Sequence, residues 1–134
     1  MKKDILFPKP DGVHMAAVYE TDSEGTQGWF VYVINTRKDL IHSVMCTSKG
    51  YGKVDGKEKI TSTLRRVLPD MASESAQKVE YVPEELLGMN NEYWLSFYED
   101  KQIFDKKYIF MAESLIHENE VHIPIVGKKG ILIE

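Results

Sequence analysis

Cysteine is nearly missing from this chain: Cys46 is the one thiol among 134 residues. An intramolecular disulfide is therefore impossible, and a thiol-based metal cluster is not expected. That count fits a reducing compartment. Long apolar runs are also missing. After Met1-Lys2-Lys3 the run Ile5-Leu6-Phe7 stops at Pro8, too short for an export segment. No stretch approaches the roughly 20 apolar residues of a membrane span. These absences predict a soluble, cytoplasmic protein with no membrane partner. Strong charge is absent too, because the net charge is -4. Nothing global points to nucleic acid or an acidic membrane surface.

The usual furniture of catalysis is sparse. Four histidines, His14, His42, His117 and His122, could bind metal or move protons near neutral pH, yet none stands at a ligand spacing. There is no Gly-x-Ser-x-Gly elbow. Gly50-Tyr51-Gly52-Lys53 lacks the spacing of a phosphate loop and the hydroxyl residue after its lysine. Cys46 beside Met45 reads as a small buried apolar residue rather than a thiolate nucleophile. The paired acids Glu84-Glu85 and Glu99-Asp100 fall at a helix start and a turn, where charge is solvated. No catalytic residue, metal or cofactor is expected.

What is present is alternation. The hydrophobic fraction of 43% and charged fraction of 28% suit one soluble domain spanning residues 1–134. In Asn90 to Ala112, Tyr93, Leu95 and Phe97 alternate with Trp94, Ser96 and Tyr98. Beyond Glu99-Asp100-Lys101, Phe104, Lys106, Tyr108 and Phe110 alternate with Ile103, Ile109 and Met111. Two period-two runs across a short charged turn predict an antiparallel hairpin. Val13 to Glu20 alternates likewise, and Trp29 to Ile34 reads as a strand covered on both faces. In Leu40 to Ser48, the residues Leu40, His42, Val44 and Cys46 share one face.

Lys49 to Lys59 reads as a glycine-rich and lysine-rich loop, and Ile60 to Leu68 as one strand ended by Pro69. Ser73 to Gln77 reads as a connector, Lys78 to Val82 as a half-exposed strand, and Pro83 to Gly88 as one short helical turn. Val121 to Val126 is expected to pair with Ile131 to Glu134. About seven strands and a C-terminal hairpin, without a long helix, predict an all-β, immunoglobulin-like antiparallel β-sandwich.

Charge is segregated along the chain. Lys49, Lys53, Lys57, Lys59, Arg65 and Arg66 face only Asp55 and Glu58 between positions 49 and 66, whereas positions 70 to 100 hold eight acids and one lysine. Such segregation can steer a charged partner or pair two copies. Lys49-Gly50-Tyr51-Gly52-Lys53-Val54 overlaps the start of an RNA-recognition signature. Lys53 replaces a base-stacking aromatic, and the chain offers no helices for that fold. Nucleic acid is thus not the expected partner. If Trp94, Tyr98 and Tyr108 share an outer face, they make a patch suited to a protein partner.

Several segments carry a resemblance: Met1-Lys2-Lys3-Asp4-Ile5, Thr47-Ser48-Lys49-Gly50-Tyr51-Gly52, Thr61-Ser62-Thr63-Leu64-Arg65, Asn90-Asn91-Glu92-Tyr93-Trp94, Asp105-Lys106-Lys107-Tyr108-Ile109-Phe110 and Ile123-Pro124. Across its whole length the chain resembles a family of small uncharacterised bacterial proteins, some of which bear the label phenylalanyl-tRNA synthetase alpha subunit. A synthetase core needs a far longer chain, an antiparallel sheet flanked by long helices, and arginines that hold ATP. The resemblance directs attention to Lys49, Tyr51, Arg65, Glu92, Trp94, Asp105 and Lys106, to which the basic segment adds Lys53. The expectation is a non-catalytic binding or protein-interaction module, able to self-associate. The alternatives are a translation-linked accessory that touches a synthetase or tRNA through the basic glycine-rich loop, and a small enzyme.

Overall fold

The computed structural model describes residues 11–134. The Met1-Lys2-Lys3 opening and the Ile5-Leu6-Phe7 run lie outside the described residues. Among the described residues ten strands form two antiparallel sheets packed as a sandwich. The first sheet has the order β6-β2-β1-β10-β9, built from β1 (Val13–Thr21), β2 (Gln27–Asn35), β6 (Ser75–Tyr81), β9 (Val121–His122) and β10 (Lys129–Ile133). The second has the order β4-β3-β7-β8, from β3 (His42–Val54), β4 (Lys57–Ile60), β7 (Asn90–Glu99) and β8 (Gln102–Phe110), and β5 (Leu64–Leu68) also pairs with β3. The run β6-β2-β1 facing β5-β3-β7-β8 is compatible with immunoglobulin-like connectivity, with β10 and β9 added beyond β1. No helix among the described residues is long and apolar enough to cross a membrane.

The period-two pattern explains the main core. Val13, Met15 and Ala17 from β1 and Trp29, Val31 and Val33 from β2 meet Val44, Cys46, Tyr93, Leu95, Phe97, Phe104, Tyr108 and Phe110 from the opposite sheet. Polar side chains also cross the gap. The Tyr108 hydroxyl donates to the Val13 carbonyl over 2.6 Å, and the Tyr93 hydroxyl donates to Glu80 over 2.9 Å. A smaller core of Ala16, Val18, Ile34 and Ile123 lies on the other face of the first sheet. It is why β2 is apolar on both sides, as its sequence predicts. Nearby, Glu20 accepts from Tyr32 at 2.5 Å and pairs with Lys78 at 3.0 Å and Lys128 at 2.6 Å, so the C-terminal loop is tied onto that face.

Several boundaries differ from the sequence reading. Lys49 to Lys59 is no loop: β3 continues to Val54 and turns back through Asp55-Gly56 into β4. Both turn residues have positive φ, 54° and 78°, as the hairpin turn favoured by Asp-Gly requires. Ile60 to Leu68 is two strands, because the chain leaves the ladder between them, where the Thr61 hydroxyl accepts from the Gly50 N–H at 2.8 Å. A bulge beside Ser43, whose φ is 53°, breaks the predicted face of Leu40, His42, Val44 and Cys46. Ile41, Val44 and Cys46 are buried, Leu40 is exposed, and His42 stacks on Tyr98. β6 begins at Ser75, inside the predicted connector. The C-terminal pairing is also shorter than predicted: β9 meets β10 only at Val121 with Gly130 and His122 with Lys129, and β10 pairs chiefly with β1. Glu84–Leu86 is the single helical turn foreseen after Pro83.

Candidate functional site

On the second sheet, alternate residues of β3, β7 and β8 turn away from the core. The register places Thr47, Trp94 and Lys107 side by side on neighbouring strands, and in the next row Lys49, Glu92 and Ile109. Glu92 stands between two cations, 4.0 Å from Lys49 and 3.9 Å from Lys107. The Lys107 ammonium also lies 5.0 Å from the centre of the Trp94 ring. That ring is 44% exposed. Ion pairs this long, with both ammonium groups open to solvent, contribute about 0 to 1 kcal/mol, so they orient the lysines more than they hold the fold.

Two adjoining depressions share the Lys49–Glu92 pair. One, of about 410 Å³, is lined by Thr47, Ser48, Thr63, Trp94 and Lys107 besides that pair. The other, of about 560 Å³, lies toward the β3–β4 hairpin and adds Tyr51, Glu58, Lys59 and Ile60. Both open broadly to solvent along the sheet.

Of the residues singled out by sequence, Lys49, Glu92, Trp94 and Tyr51 come together here. Arg65, opposite Thr47 on β5, and Asp105, opposite Ser96 on β8, lie on the same face at its margins, and Lys53 pairs with Glu58 beyond its end. Lys106 does not join them. It is opposite the core residue Leu95 and rests 4.9 Å from the Tyr108 ring, so Lys107 takes the place assigned to it. Tyr108 is likewise buried in the sandwich rather than beside Trp94 and Tyr98. Thr47, Thr63 and Lys107 were missed. The register that gathers them follows from pairing between distant strands, although the parity shared by Trp94 and Ser96 pointed to the right side of β7.

The other reactive groups are spread through the molecule. Cys46 is buried, and burial, followed by the nearby Glu80 charge, pushes its thiol up to about 12. Burial, reinforced by Glu80, likewise raises the Tyr93 phenol well above its ordinary range. Glu80 also receives Arg66 at 3.1 Å and the Ser48 hydroxyl at 3.5 Å, so this inward cluster is saturated by its own members. His117 packs on Tyr19 and Trp29. Desolvation is the largest effect on His14 and lowers its pKa. Among the described residues no three His, Cys, Asp or Glu side chains gather as a metal site.

Neither a scan of protein-family models nor a search of curated proteins finds a match for this chain.

Proposed function

We propose that this domain acts in the cytoplasm as a non-catalytic interaction module, and that it holds a partner protein against the outer face of the β3-β7-β8 sheet. The observation that carries the reading is the indole of Trp94, open to solvent in the middle of a paired sheet and flanked by Lys49, Glu92 and Lys107. Exposed tryptophan within a polar surround is the residue type that dominates interface hot spots. Ile60 and Val67, 75% and 74% exposed, extend the apolar part toward the β4/β5 side. The broad, shallow relief suits a protein surface better than a small molecule, which wants a concave pocket that encloses most of it. Both lysines beside the indole face Glu92, which disfavours a phosphate-rich partner and supports a mixed protein surface instead.

The test compares immobilised wild-type chain with Trp94→Ala and with Glu24→Ala, a change in the exposed β1–β2 loop. Quantitative mass spectrometry of captured proteins should show at least one species retained by wild type and Glu24→Ala but depleted about tenfold or more on Trp94→Ala. Binding of that purified species should then blue-shift the exposed indole's emission. Identical captured sets on all three chains would overturn the proposal.

A further inference from the structure

Strand β8 ends the second sheet, and among the described residues no strand pairs with its outer edge. Its nine residues match β7 without a bulge, from Gln102 opposite Glu99 to Phe110 opposite Asn91. A two-residue turn, Asp100-Lys101, joins the strands, and in such hairpins the closing pair exchanges both backbone hydrogen bonds. Bonding then alternates along β8. Gln102, Phe104, Lys106, Tyr108 and Phe110 bond toward β7, and Ile103, Asp105, Lys107 and Ile109 turn their N–H and C=O groups to the free edge.

We propose that a second copy of this chain pairs with that edge, antiparallel, about a twofold axis at Lys106. In that register Asp105 stands opposite Lys107 of the second copy, and Ile103 opposite Ile109, each pair occurring twice. Every edge-facing backbone group meets an edge-facing counterpart, so the ladder closes without a slip. The side chains agree with the backbone. Opposite charges and β-branched apolar residues are favourable cross-strand pairs, and here both kinds arise from one strand sequence read in opposite directions.

Two local features support the register. One carboxylate oxygen of Asp105, Oδ1, is buried without a hydrogen-bond partner among the described residues. Among the described residues Lys107 reaches an acid only at 3.9 Å, so its ammonium can turn toward Asp105 of the second copy. Lys106 meets its own image at the axis, an unfavourable pair, but its ammonium is already drawn back over the Tyr108 ring. An inward lysine on an edge strand limits open-ended association. At a twofold axis it meets one counterpart, and the assembly closes at two.

The pairing joins two sheets into one, with both Trp94 faces on the same side. It does not depend on the partner proposed for that face, and Trp94→Ala should leave it intact. Sedimentation equilibrium of the full chain from micromolar to millimolar concentration should show a dimer of the 15.4 kDa chain. Asp105→Lys or Lys107→Asp alone opposes like charges in both pairs and should weaken dimerisation about tenfold or more. The combined swap should restore it. As a check that does not rely on those charges, an equimolar mixture of Asp105→Cys and Lys107→Cys chains, oxidised with diamide, should give a covalent dimer that neither chain gives alone. A monomer throughout, indifference to both reversals, or failure of the swap to restore association would overturn the proposal.

Discussion

Tyr93 and Trp94 are neighbours in sequence with opposite surroundings, and the difference is a matter of parity. Tyr93 is 2% exposed and bonded to Glu80 across the sandwich, whereas Trp94 is 44% exposed. Tyr93→Ala should therefore destabilise the fold by about 3 to 5 kcal/mol, as large buried side chains do. Trp94→Ala should shift it by less than about 1 kcal/mol. Urea denaturation of the two variants checks both, and a large loss at Trp94 would return the indole to a structural role. Tyr108→Phe isolates one bond, the 2.6 Å contact that links β8 to the Val13 carbonyl. Removing the hydroxyl leaves that carbonyl buried and unpaired, at a cost of about 1 to 3 kcal/mol. At this scale the sequence was informative: alternation alone separates Tyr93, Leu95 and Phe97 from Trp94. It could not distinguish Lys106 from Lys107 as the residue beside the indole, because that depends on the register: a turn of Asp100-Lys101 sets Trp94 opposite Lys107, whereas one that also includes Glu99 would set it opposite Lys106.

The β7–β8 hairpin was legible because its two runs alternate cleanly and its turn is short and charged. The β3–β4 hairpin was not, although Val54-Asp55-Gly56-Lys57 contains a strong turn signal. Glycines at 50 and 52 resemble loop residues in a linear reading, while in the sheet they lie within a strand. Gly50 has the Thr61 methyl and Asn91 close by, and Gly52 has a φ of +147° that side chains rarely adopt. Residue spacing cannot reveal crowding by a neighbouring strand. The same reasoning ranks two glycine variants by denaturant midpoint. Gly56→Ala meets open space but keeps a φ of 78°, so its cost should be near 1 kcal/mol. Gly130→Ala would drive a methyl into the Ala17 carbonyl where β10 pairs with β1, and it should cost about 1 to 3 kcal/mol or more. Equal losses at the two positions would contradict the tight approach of β10 to β1. The bulge at Ser43 was equally invisible, because it inserts one residue that no periodicity marks.

For the whole molecule, acid should act in two windows. Folding lowers the His14 pKa, chiefly by desolvation, so the unfolded chain takes up that proton first. Stability should begin to decline as pH falls through the ordinary histidine value of 6.5. Burial alone would raise the Glu20 carboxyl, but hydrogen bonds from Lys128, Tyr32 and Lys78 outweigh it and lower its pKa. Its contribution is present above 4.5 and is lost as pH falls through the lower folded value. Glu20→Gln should flatten that second decline and leave the first unchanged in a pH series of thermal melts; an unaltered acid limb would remove Glu20 as its source. The two-layer architecture could be read from strand number and spacing. The covering of the first sheet by the C-terminal segment could not, because Ile123 reaches Ala16, Val18 and Ile34 over a long sequence separation.

The buried thiol provides an internal clock. Cys46 lies between the layers with its ionisation pushed up to about 12, so in the closed molecule it is both shielded and protonated. A maleimide should consequently label it only during moments when the two sheets part. At high reagent concentration the labelling rate becomes the parting rate itself, measurable without denaturant and with no residue changed.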